Sequence, residues 1–280
     1  MSHEQQPSER IATLLGAFRL PTAAQEMVPR LIDAGCADAL PTVCEVLQAE
    51  REDRHERRVQ RLRRASHLPA GKTYATLDQQ RLPLTLQRQL RELAAGTFLD
   101  QAANVLAFGL PGTGKTHAAC ALGHAMVEAG RSVRFAPTHQ IVQQLLAAKR
   151  DLELPRALAK LDNFDLLILD DIGYVQQDTH EVEVLFTLLA ERYERRSVVI
   201  TSNLMFSEWD RIFKNPMTTA AAIDRLVHHA VILEFDVSSY RTHANEQSRH
   251  EDHRPQSQTE RSRSSQKSPE ADDDQPPKGR

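Results

Sequence analysis

Residues Asn104–Thr116 read NVLAFGLPGTGKT, and the reading of this stretch decides the fold. Asn104–Gly109 is a short apolar run of strand type, and a helical pattern follows from Thr116. Between them, Gly109 to Thr116 fits G-x-x-x-x-G-K-[ST], with Leu110, Pro111 and Thr113 completing the loop. Gly109, Gly112 and Gly114 let backbone N–H groups curl around phosphate oxygens with no Cβ in the way. The helix N-terminus adds partial positive charge. Lys115 stands where it would neutralise β- and γ-phosphate charge, and the Thr116 hydroxyl where it would bind Mg2+. The plainer reading, a glycine-rich turn that binds nothing, fits the flanking strand and helix less well.

Outward from this loop, short apolar runs alternate with helical stretches. SVRFA precedes a helix from Thr138, LLILDD one from about Thr179, and SVVITS one near Ala220 to His229, before VILEF. Such alternation predicts an α/β fold with a parallel sheet covered on both faces. In these sheets function gathers at the carboxyl ends of the strands.

Three candidate features lie at or beside such ends. LLILDDIGY, Leu166 to Tyr174, carries two adjacent acids after an apolar strand. Alone, it reads as a strand ending in an Asp turn. Beside a phosphate loop, Asp170 becomes a candidate metal acid and Asp171 an acid that polarises the attacking water. VVITSN ends in Asn203, which is placed to position water against a γ-phosphate or simply to make a turn. IDRLVHH puts Arg225 on a helix, as a structural ion pair with Asp224 or as an arginine finger entering a neighbouring subunit. His228 and His229 have no ligand-spaced partner in sequence and are not read as metal ligands.

The flanks differ in character. Residues 1–68 read as a small N-terminal helical domain, with Ile11, Leu14, Leu15 and Phe18 on one face. Pro21 and Pro29 are expected to break the pattern. Thr42 is expected to cap a long helix to about Ser66, with Glu50–Arg54 and Asp53–Arg57 as i,i+4 pairs. Residues 69–83 read as a linker, 84–241 as the nucleotide-binding domain and 242–280 as a disordered tail. From Arg241 on, eight basic and eight acidic residues leave almost nothing to bury.

Across its 280 residues the chain carries a formal net charge of -3, and this near-neutral total hides a local bias. Arg57 to Arg91 holds nine basic residues opposed only by Asp78, enough to track a phosphate backbone or simply to be a solvated face. Lys149, Arg150, Arg156 and Lys160 form a second such set. Three scattered cysteines suggest thiols in a reducing cytoplasm, and no apolar run is long enough for a membrane span.

The segments GLPGTGKTHAACALGHAM, LLILDDIGYV, LFTLLAERYERRSVVITSNLMFSEW, AAAIDRLVHHAVILEF and SSYR together resemble the IstB-like transposition helper ATPases. That family is related to DnaC-type helicase loaders within the AAA+ class. The likeness spans roughly Thr42 to Arg241. It implies a three-layer AAA+ P-loop fold with an N-terminal helical domain and no C-terminal lid domain. It also implies ATP and Mg2+ as cofactors, a homo-oligomer joined through the ATP site, double-stranded DNA as ligand and a transposase of the same insertion sequence as partner. By motif position, Gly109–Thr116 would be Walker A, Asp170 and Asp171 Walker B, Asn203 sensor 1 and Arg225 a finger acting in trans. Tyr240 and Arg241 have no assigned role.

The second Walker B acid is usually Glu. Asp171 is one methylene shorter, which predicts slow hydrolysis without partners. Two other readings share these residues: a helicase loader acting on single-stranded DNA, and a DNA-binding adaptor with a degenerate nucleotide site. Aromatic residues make up only 5% of the chain, few for base-stacking platforms, which favours duplex DNA.

Overall fold

The computed structural model describes residues 6–173, 178–213 and 216–237. Helices α1 (Pro7–Ala17), α2 (Pro21–Asp33), α3 (Leu40–Ser66), α4 (Leu84–Ala94) and the single turn α5 (Thr97–Asp100) precede the sheet. There follow β1 (Asn104–Gly109), α6 (Lys115–Glu128), β2 (Val133–Pro137), α7 (Thr138–Arg150), α8 (Leu154–Asp162) and β3 (Leu166–Asp170). The last elements are α9 (Thr179–Arg192), β4 (Ser197–Ser202), α10 (Asp210–Phe213), α11 (Pro216–Val227) and β5 (Ala230–Phe235). Each apolar run in the sequence is a strand.

The strand order is β2-β3-β4-β1-β5, with every neighbouring pair parallel. Side chains alternate across the sheet, as a period of two requires. Val105, Ala107, Leu166, Ile168 and Val199 face one apolar layer, filled by α4, α6 and Val59 of α3. Leu106, Phe108, Leu167, Leu169, Val198 and Ile200 face the other, filled by α7, α9, α10 and α11. Because both faces are covered, the central strands β3, β4 and β1 are buried along nearly their whole length, whereas the edge strands β2 and β5 carry Arg134 and Glu234. β4 lies between β3 and β1, so the tips of all three meet on one edge.

The N-terminal helices build their own cluster. Ile11, Leu14 and Leu15 of α1 pack with Cys44 of α3. Fifteen and twenty-two residues further along α3, Val59 and Ser66 are buried instead, Val59 in the main core. A helix of this length spans about 40 Å, so one rod serves both clusters. Glu50–Arg54 and Asp53–Arg57 are paired along it as expected.

Two local expectations are corrected. Pro21 does sit at the helix start, where its missing N–H costs nothing, but Pro29 lies inside α2 and does not end it. α2 has no buried residues, so a distorted turn there disturbs little packing. Helix α3 begins at Leu40 after an Ala39 cap that makes no side-chain bond, so Thr42 falls inside the first turn.

The segment between α3 and α4 is packed rather than free. Leu77 and Leu82 are buried in the main core. The Tyr74 hydroxyl donates to the Leu90 carbonyl at 3.1 Å, and burial pushes its pKa up to about 12. His117 and His124 of α6 hold the same segment through Thr73, Thr76 and Pro69. Tyr240, Arg241, the segment 242–280 and the expected missing lid lie outside the described residues. Among the described residues, no helix is long and apolar enough to cross a membrane.

Candidate nucleotide site

The site is assembled at the carboxyl edge of the sheet, where β1, β3 and β4 end side by side. Gly109 closes β1 with φ 148°, and a Cβ there would meet the Phe235 carbonyl oxygen at 2.6 Å. Only glycine lets the loop leave the sheet this close to β5. The turn is tightened by Thr113, whose hydroxyl donates to the Leu110 carbonyl at 2.8 Å. Gly112 and Gly114 take positive φ, and α6 starts immediately afterwards at Lys115.

Lys115 is 8% exposed, and its ammonium is held over the loop by the carbonyls of Gly109 at 2.6 Å and Leu110 at 2.8 Å. A largely desolvated cation exerts more force on nearby charge than one in water. The loop amides, the start of α6 and this cation together fit a polyphosphate.

Asp170 ends β3. Its Oδ1 accepts from the Thr116 hydroxyl at 2.8 Å and from the Thr201 hydroxyl at 2.7 Å. Its carbonyl accepts from the Thr138 hydroxyl at 3.0 Å. Hard oxygen donors are what Mg2+ takes, and neighbouring oxygens around an octahedral Mg2+ stand roughly 2.9 Å apart. The Thr116–Asp170 pair therefore fits that ion.

Asp171 is exposed and in the left-handed region at φ 60°, with its N–H donating to the Thr201 hydroxyl at 2.8 Å. Aspartate tolerates this backbone better than longer residues do. Its difference from glutamate is thus one of backbone strain as well as length. Thr201 of β4, 1% exposed, joins the two acids through one hydroxyl: it accepts from Asp171 and donates to Asp170.

Asn203 lies just past β4, with Oδ1 buried and without a hydrogen-bond partner among the described residues. A Cβ on Gly173 would stand 2.9 Å from that oxygen, so the two loop ends are pressed together. Leaving such an acceptor unpaired costs about 1–3 kcal/mol, so this oxygen is open to a donor. Trp209 anchors the following segment: fully buried, its indole N–H donates to the Leu204 carbonyl at 3.2 Å.

Arg225 is not brought to this edge. It lies five residues before Ala230, which pairs with Asn104 at the opposite, amino edge of the sheet. Its guanidinium donates to the Ala221 carbonyl at 2.9 Å and stacks 5.1 Å from the Phe186 ring. The ion pair with Asp224 is not among its described contacts.

Sequence reasoning missed Thr138 and Thr201, since a threonine at a strand tip carries no pattern of its own. Burial pushes the Cys120 thiol of α6 up to about 12, with Lys72 pulling it down and Asp170 pushing it up.

A P-loop after β1, with an acid at the tip of β3 across the intervening β4, in this five-stranded parallel order, defines a P-loop nucleotide-binding fold of the AAA+ class. The profile of the family described as IstB-like ATP binding protein matches residues 14–248, and the chain belongs to that family. An insertion sequence ATP-binding protein of Sinorhizobium fredii is 43% identical over 243 residues, covering 85% of this chain and 81% of its own. The insertion sequence IS21 ATP-binding protein of Pseudomonas aeruginosa is 38% identical, covering 71% and 75%. Among solved structures, the DnaC helicase loader superposes with a TM-score of 0.51 at 18% identity, over 61% of this chain and all of that one. AMPPCP-bound DnaA from Aquifex aeolicus gives 0.51 at 16% identity, over 66% and 57%. These likenesses show the AAA+ fold.

Proposed function

We propose that this chain is a Mg2+-dependent ATPase that helps an insertion sequence to transpose. In this reading it assembles through its ATP sites on double-stranded target DNA, deforms it, and recruits or stimulates the transposase of the same element. The observation that carries the reading is the shared carboxylate of Asp170, bonded to the Walker A threonine and to β4 at the mouth of the phosphate loop, in a chain of this family.

The loop amides and Lys115 would bind the phosphates, and Thr116 and Asp170 would hold Mg2+, which would neutralise β- and γ-phosphate charge. Asp171 accepts a proton from the attacking water, and the orphaned Asn203 oxygen orients that water. Arg225, remote from its own loop, would serve a neighbouring subunit. Loss of the γ-phosphate would then release the oligomer as a reset. We further propose that residues 1–68 form a helical domain, 84–241 the ATPase domain, and that the protein works in the cytoplasm.

Thr201 is a positioning residue in this scheme, because it sets both acids without touching phosphate. Thr201→Val should lower single-turnover hydrolysis by roughly ten- to a hundredfold, since second-layer partners of ligands carry effects of that size. ATP affinity should change little, and Thr201→Ser should restore most of the rate. Equal rates for all three proteins would remove Thr201 from the mechanism.

For DNA, the ion pairs narrow the candidates. Arg57, Arg63, Arg81 and Arg88 are already paired with acids, and Arg58 with the Gly130 carbonyl. In the second basic set, Lys149 and Arg156 are paired with Glu183 and Glu153. Among the described residues, Arg61 and Arg64 are exposed on α3 without an acidic partner and make the better contact. With ATP, the protein should prefer duplex to single strands and lose affinity steeply with salt. Arg61→Glu with Arg64→Glu should flatten the log–log salt slope by about two. Preference for single strands would instead support the helicase-loader reading, and an unchanged slope would move the DNA contact elsewhere.

A further inference from the structure

At the amino edge of the sheet, away from the phosphate loop, a second cluster of ligand-type side chains forms. Glu194 lies in the turn between α9 and β4, and His228 and His229 in the turn between α11 and β5. In sequence they are more than thirty residues apart. Folding brings one potential ligand atom from each within 4.8 Å of the other two. His228 Nδ1 stands 3.9 Å from Glu194 Oε1, and the two imidazole centroids are 4.2 Å apart.

From this geometry we propose that Glu194, His228 and His229 form a binding site for a transition-metal cation of the zinc class. Zn2+ takes imidazole nitrogen and carboxylate oxygen at about 2.0–2.2 Å, which puts neighbouring ligand atoms roughly 3.4 Å apart in a tetrahedron. The 3.9 Å pair is near that value already, and all three side chains are exposed and free to close by small rotations. Two imidazoles select this class over Mg2+ and Ca2+, which take oxygen.

The surrounding charges agree. Arg195 and Arg196, next in the chain after Glu194, are turned away onto Asp162 at 2.5 Å and Asp165 at 3.0 Å. Arg225, one turn before His228, is committed to the Ala221 carbonyl and the Phe186 ring. The Tyr193 hydroxyl lies 3.1 Å from His228 Nδ1, and Glu194 and Asp224 act on it against the opposite pull of Arg225. Glu194 itself has φ 57° and holds the turn in a conformation that presents the carboxylate toward α11. The backbone behind the site is fixed, because the His229 carbonyl accepts from the Asn104 N–H at 2.7 Å. A bound cation would tie the α9–β4 turn to the end of the helix that carries Arg225.

The test uses the full chain without an affinity tag, stripped with EDTA and titrated with zinc chloride by calorimetry, with thermal melts in parallel. The expected result is saturable binding with a Kd on the order of micromolar and a Tm raised by a few degrees. His229→Ala and Glu194→Gln should each weaken that binding at least about tenfold, and His228→Ala with His229→Ala should abolish it. Melts in EDTA should match the wild type, because the replaced side chains are exposed. Absence of saturable binding at about 100 µM zinc, or variants that bind as the wild type does, would show a surface histidine–carboxylate cluster only and overturn the proposal.

Discussion

Replacing Lys115 by alanine should lower ATP turnover by at least roughly a thousandfold, since loss of a preorganised charge on a transferring phosphoryl group carries effects of that order. Two contributions act together. The ammonium would neutralise β- and γ-phosphate charge from a position where it is almost excluded from water. It also ties the carbonyls of Gly109, the last residue of β1, and Leu110, the next, and so stiffens the loop whose amides would face the phosphates. Lys115→Arg should not rescue the rate, because a planar fork with fixed donor directions does not replace a point charge between two carbonyls. Single-turnover hydrolysis with and without saturating duplex DNA, together with equilibrium ATP binding, reads both contributions. Wild-type turnover that survives in Lys115→Ala to within tenfold would refute the assignment of this loop as the hydrolytic site. A wild-type protein without turnover, alone or with DNA and transposase, would support the adaptor reading instead.

The second large effect concerns folding. Arg192, at the end of α9, is 2% exposed, and its guanidinium donates to the carbonyls of Leu161, Phe164 and Ser197, each at 3.0 Å. One side chain thereby satisfies the end of α8, the turn into β3 and the start of β4. Burial lowers its pKa to about 10, against the pull of Asp162, so it stays charged at neutral pH. Arg192→Leu should destabilise the protein by about 3–5 kcal/mol, because buried carbonyls lose their donors and Asp162 loses a nearby cation. That corresponds to a fall in Tm of about 10 °C for a domain of this size. Arg192→Lys should recover part of the loss, since a single ammonium cannot reach three carbonyls in different directions. Urea unfolding measures both variants. A loss below about 1 kcal/mol for Arg192→Leu would mean that the carbonyls find water or other donors.

Much of the nucleotide site was legible in the chain because its parts are local. The phosphate loop is a contiguous pattern, and Asp170 and Asn203 each stand at the end of an apolar run long enough to be a strand. Thr138 and Thr201 were not legible. Thr201 matters only because β4 lies beside β3, and no local signal in either strand states that neighbour relation. The same holds for Leu77 and Leu82, which sit in a stretch rich in turn residues and are buried because α4 and α6 fold over them. Pro29 shows the converse error: a strong local breaker was outvoted by the helix on either side of it. The left-handed backbone at Asp171 was also invisible, and it changes what replacement by glutamate would mean.

By itself, the sequence determined the class of fold, the phosphate loop and the acid beside it, because hydrophobic period, glycine placement and residue spacing act over a few residues. Tertiary structure alone decided which strand lies next to which, how one hydroxyl couples two acids, why Arg225 stands away from its own loop, and how Glu194 meets two distant histidines. Those relations depend on packing two apolar layers against one sheet, and packing energy is shared among residues far apart in the chain.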